Sequence, residues 1–76
     1  MDLRDLGADA LDARLLAAHD AGDGVALVGL YTAAANAAQD IKTECFFLTH
    51  AWIFALETDH PATDELHARL LKHGRV

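Results

Sequence analysis

Basic side chains are scarce in this chain: six lysines and arginines stand against twelve aspartates and glutamates, a formal net charge of −6. Such a balance repels phosphate backbones and anionic lipid surfaces, so neither nucleic acid nor a membrane is an expected partner. Cysteine is nearly absent. The lone Cys45 has no internal partner for a disulfide and lies in the most apolar segment, where a thiol behaves as a small hydrophobe, so a reducing compartment is expected. No run approaches about 18 uninterrupted apolar residues. The start Met1-Asp2-Leu3-Arg4-Asp5 lacks the basic head and apolar stretch of a secretory signal. These absences lead to the expectation of a cytoplasmic protein.

What is present is apolar and small. Hydrophobic residues make up 53% of 76 positions, which excludes intrinsic disorder. Many of them are alanine, which favours helix more than it builds a large core. The expected class is therefore all-α, as a single helical domain over 1–76. A chain of this length buries only about 60% of the surface its unfolded form exposes, so a second copy or another protein would add to a thin stability.

Hydrophobic periodicity and turn signals place four antiparallel helices at about 9–20, 25–39, 41–57 and 61–73. In the first, Leu11, Leu15 and Ala18 share a face with Leu16 alongside, and Asp9 is positioned to cap or to begin the first turn. Gly22 ends it, and Asp23 supplies an acceptor for the next helix. In the second, Leu27, Leu30, Tyr31, Ala34 and Ala38 form one stripe. Ala26, Gly29, Ala33 and Ala37 form another of very small side chains, read as the place where the aromatic residues of the third helix pack closely. Pro61 suits the opening of the fourth helix, whose inward stripe is Ala62, Leu66 and Leu70 with Leu71 adjacent. Glu65 and Arg69, four apart, are expected to pair weakly.

The third helix sets the main physical problem. Ile41, Cys45, Leu48, Trp52 and Leu56 share one face, Phe47, Ala51 and Phe54 a second row, and Phe46 with Ile53 a third, leaving Thr43, His50 and Glu57 as its polar stripe. One neighbouring helix cannot cover three apolar rows. Short connections imply consecutive antiparallel neighbours, and so wide an apolar surface favours two stacked αα-hairpins, with this helix inside the array, over a closed bundle.

The segment from Leu27 to Pro61 resembles a degenerate tetratricopeptide-type repeat. Leu27 and Tyr31 match the Leu-x-x-x-Tyr spacing of such a repeat's first helix, and Phe54-Ala55-Leu56 followed by Pro61 is similar to the ending of its second. The chain departs from the pattern in lacking the leading aromatic, in placing Gly29 two rather than three residues before Tyr31, and in a Leu56-to-Pro61 interval one residue longer than usual. The resemblance covers about half the chain and implies a role in binding protein segments; it transfers no catalytic residue.

Chemistry-bearing constellations are weak. His60, Asp64 and His67 fall at i, i+4 and i+7, the one set with ligand-like spacing, yet a turn histidine and a surface histidine explain them better. His50 and Glu57 are two turns apart, about 10 Å along the axis, too far for a direct hydrogen bond. Asp20-Ala21-Gly22-Asp23-Gly24 lacks the later ligands of a calcium loop. No catalytic residue, metal or cofactor is assigned, and the chain is not expected to be an enzyme. The expected function is a small protein-protein interaction module, self-associating or docked on a larger protein through Phe46, Phe47, His50, Ile53 and Phe54. The alternative is an acidic regulatory or neutralising partner, of the antitoxin or immunity type, for a basic protein.

Overall fold

The protein is described by a computed structural model that covers the backbone of residues 3–76 and the side chains of residues 10–76. Four helices follow one another: α1 (Leu3–Ala21), α2 (Gly24–Ala37), α3 (Ile41–Thr58) and α4 (Thr63–Lys72). Among the described residues there is no strand, and the all-α class expected from composition is the class observed. Helix α1 begins six residues before the expected Asp9, so Asp9 is an interior position of the helix and not its cap; its side chain lies outside the described residues. Helix α4 begins two residues after Pro61, which sits in the preceding turn.

The helix ends are written in local hydrogen bonds. Gly22 takes a left-handed φ of 66°, its N–H donates 3.1 Å to the His19 carbonyl, and the Asp23 N–H donates 2.9 Å to the Ala18 carbonyl, closing α1 in a Schellman motif. The Asp23 carboxylate then accepts from the Ala26 N–H at 3.1 Å and caps α2. Helix α2 stops at Ala37, two residues short of expectation, because Ala38 has turned to extended backbone with ψ 143°. Asp40 caps α3, accepting from the Thr43 N–H at 2.7 Å and from the Thr43 hydroxyl at 3.0 Å. Those two bonds, led by the backbone one and aided by nearby Lys42, hold the Asp40 carboxyl below its ordinary 3.8. Asp59 and Gly74 close α3 and α4 with the same six-to-one bonds, from His60 to Ala55 and from Arg75 to Leu70. His60 then starts the last turn, its carbonyl accepting from Thr63 Oγ1 at 2.7 Å and its ring Nδ1 accepting from the Ala62 N–H at 3.0 Å.

Among the described residues, backbone packing joins consecutive helices alone: α1 lies on α2, α2 on α3 and α3 on α4. A closed bundle would bring α1 against α4. The result is an open array of αα-hairpins, a slab measuring 38 × 29 × 14 Å over its Cα atoms, with α3 as an inner helix. The core runs along the α2–α3–α4 contacts, where Val28 and Ala35 meet Cys45, Leu48, Ala51, Ala55, Leu66 and Leu70. Alanines at 35, 51 and 55 let α2 and α3 approach closely.

Close approach by small residues was the right physics on the wrong stripe. Gly29, Ala33 and Ala37 are exposed, and a Cβ on Gly29 would meet nothing within 4 Å. The face that packs carries Leu27, Val28, Tyr31, Ala34 and Ala35, whose larger apolar area makes its burial worth more than burial of glycine and alanine. The glycine that permits a close contact is Gly24, where the start of α2 meets Thr58 at the end of α3.

Candidate protein-docking face on helix α3

Helix α3 uses its circumference in three sectors. One sector, with Ala51 and Ala55 buried and Phe47 and Phe54 half-buried, faces α2. A second, with Cys45 and Leu48 buried and Trp52 half-buried, leads to α4, where Trp52 meets the His67 ring at 5.4 Å. The third is left uncovered among the described residues. Phe46 is 57% exposed, Ile53 45% and Leu56 54%, aligned at i, i+7 and i+10 with exposed Thr49 between them. Lys42 and Glu57 stand exposed at the two ends of this line.

The five residues expected to bind a partner therefore divide. Phe46 and Ile53 lie on the open sector. Phe47 and Phe54 are drawn onto α2 by Tyr31, which stacks on Phe54 with parallel rings 6.0 Å apart and meets Phe47 at 6.2 Å. His50 bridges the two groups, half-buried, 4.6 Å from the Phe46 ring and 5.1 Å from Tyr31. Its Nδ1 is 2.8 Å from the Phe46 carbonyl, and since a carbonyl can only accept, Nδ1 carries the proton. No hydrogen bond joins His50 to Glu57 among the described residues.

Periodicity assigns two exposed residues of α3 inward. Leu56 and Ile41 were placed with Leu48 and Trp52, yet they are 54% and 54% exposed. Leu56 falls at the rim of the open sector, beside Ile53, and extends the apolar line. Angular position on a helical wheel groups these residues; how far a ten-residue α4 reaches around an eighteen-residue α3 decides which of them it covers.

Polar contacts reinforce the array at its other edge. Glu44 of α3 accepts from Arg69 Nη2 of α4 at 3.2 Å and lies 3.3 Å from His73 Nε2. Partial desolvation pushes the Glu44 carboxyl up, and the hydrogen bonds and charges of Arg69 and His73 outweigh it, leaving the group below its ordinary 4.5. Arg69 is thus engaged across the helix pair, and the expected Glu65–Arg69 pair is not made. On the α1 side, His19 Nε2 is hydrogen-bonded to the Tyr31 hydroxyl at 2.8 Å and packs edge-on against Phe54. Sequence periodicity carries no signal for that bond, which depends on the register of the first hairpin.

His60, Asp64 and His67 are not brought together. His60 is committed to the turn before α4 and His67 to Trp52, and no group of three or more His, Cys, Asp or Glu side chains among the described residues is placed to hold a metal ion. Among the same residues, no helix is long and apolar enough to cross a membrane. No protein-family model, curated protein or solved structure matches the chain.

Proposed function

We propose that this protein is a small interaction module that works through the open sector of α3, either associating with itself or docking on a larger protein. The observation that carries this reading is the alignment of Phe46, Ile53 and Leu56, each about half exposed, on an inner helix whose other two sectors are already packed. Three large apolar side chains in one line form a contiguous patch, and the largest apolar patch on a protein's surface is often where a partner docks. The tetratricopeptide-like character proposed from sequence is supported by the Tyr31–Phe54 stacking and by the fully buried Ala55, while exposed Leu56 departs from it. A buried lone thiol at Cys45 fits a cytoplasmic setting.

The test is chemical accessibility in the cells that make the protein. A Thr49→Cys variant places a thiol in the middle of the face, and Ala33→Cys places one on the exposed side of α2. The reading expects maleimide to label position 49 several-fold more slowly than position 33 in those cells or, where the partner is a second copy, in purified protein at about 1 mM, with the two labelled alike in dilute purified protein. Equal labelling both in cells and at about 1 mM overturns it.

A further inference from the structure

We infer that the occupant of this face is a second copy of the chain, laid antiparallel on α3 about a two-fold axis at the Thr49–His50 peptide. This inference rests on the docking reading above and names its partner.

The pattern on the face is self-complementary in one direction only. Phe46 and Ile53 stand at equal distances on either side of the Thr49–His50 peptide, and so do Lys42 and Glu57. A two-fold axis there sets Phe46 of each copy against Ile53 of the other, about 5 Å from the axis along the helix, and Lys42 against Glu57 about 11 Å out. Leu56 of one copy then covers the aliphatic stem of Lys42 in the other, whose ammonium remains at the rim beside Glu57. Thr49, small and exposed, lies at the crossing point. One register satisfies the apolar pairs and the charge pairs together.

The parallel arrangement fails on the same residues. It would set Lys42 on Lys42 and Glu57 on Glu57, two like-charge contacts in place of two attractive ones. The exposed line and its flanking charges offer on the order of 500 Å2 per copy, about a tenth of the 5106 Å2 the chain presents to solvent. Two copies would bury roughly 1,000 Å2, the small end of specific interfaces, where weak and transient pairs fall; we place the Kd of this reversible dimer between about 10 μM and 1 mM.

Sedimentation equilibrium of the full chain tests this, with helix content checked by circular dichroism. Wild-type protein is expected to dimerise reversibly within that range. Phe46→Glu should raise the Kd at least about thirtyfold. Lys42→Glu and Glu57→Lys should each raise it about three- to tenfold, and an equimolar mixture of the two should recover wild-type affinity because each reversed charge meets its opposite. Should Phe46→Glu lose its helices, Thr49→Arg replaces it, since two arginines would then face each other at the axis. A wild-type monomer up to about 1 mM, or a dimer indifferent to either charge reversal, overturns the inference. A monomer whose position 49 is still protected in cells overturns the second copy and leaves the docking reading standing; a monomer labelled freely there ends both.

Discussion

Gly24 and Thr58 meet so closely that a Cβ on the glycine would stand 2.8 Å from the threonine Cγ2. The threonine cannot swing away, because its Oγ1 donates to the Phe54 carbonyl at 2.7 Å and its branched Cβ has few rotamers. Gly24→Ala should therefore destabilise the protein by about 1–2 kcal/mol despite alanine's better helix propensity, and Thr58→Ser, which removes the methyl, should recover most of the loss. Gly29→Ala makes the opposite prediction. That glycine is exposed in the middle of α2 with open space beyond it, so the substitution should add up to about 1 kcal/mol. Denaturant titration of the four proteins checks both, and the sign at Gly29 separates the observed packing from one in which its stripe faces α3.

Asp59 holds a left-handed conformation, φ 52° and ψ 45°, at the end of α3, where α1 and α4 close with Gly22 and Gly74. A left-handed backbone strains a residue with a Cβ by about 1–2 kcal/mol. Asp59→Gly should raise stability by about 1 kcal/mol, and Gly22→Ala should lower it by a similar amount. Thermal melts of the two variants should move in opposite directions.

Acid should weaken the fold through Glu44 and Asp40. Both carboxyls are held below their ordinary values of 4.5 and 3.8, so each favours the folded state while ionised. The sign follows from linkage: the contribution is complete above those ordinary values and is lost as pH falls below them toward the lowered folded-state values. Stability measured by urea titration should be flat from neutral pH to about 5 and fall below that, with Glu44→Gln reducing the slope between about pH 4.5 and pH 3. An unchanged slope in that variant would mean that the Arg69 and His73 contacts do not act on Glu44 in solution.

The core should respond by position and not by residue type. Leu48 is fully buried and Leu56 is 54% exposed, on the same helix. Leu48→Ala should cost about 2–5 kcal/mol and Leu56→Ala less than about 1. Equal losses would place Leu56 back in the interior, where its spacing with Leu48 and Trp52 had suggested it belonged.

Much of the architecture was readable from residue order because the signals are local. Gly22 and Asp23 terminate one helix and cap the next through bonds to residues within five positions, and the inward stripe of Leu66 and Leu70 follows from period alone. The same kind of local signal lies in Asp40, three residues before Thr43, whose N–H it accepts from to cap α3. What periodicity cannot supply is which of several apolar stripes meets a neighbour. It groups Gly29, Ala33 and Ala37 with Ala26 and turns them toward α3, yet those three are exposed, because the choice depends on competition with Leu27, Val28 and Tyr31 for the same neighbour. The candidate site was half legible for that reason. Phe46 and Ile53 were recognised as a separate row, whereas Phe47 and Phe54 were claimed by Tyr31 and Leu56 was released by the limited reach of α4, both outcomes of tertiary packing.

The most direct measurement of the central claim is the unfolding free energy of a Phe46→Glu, Ile53→Glu double variant in dilute solution, where any dimer has dissociated. If the open sector of α3 serves a partner and not the fold, the variant should keep its helices and lie within about 1 kcal/mol of wild type, that margin covering the lost ring contacts of Phe46 with Phe47 and His50. A loss above about 3 kcal/mol, the cost of disrupting a packed interior, would show that these side chains hold the single chain together and would contradict a docking role for them.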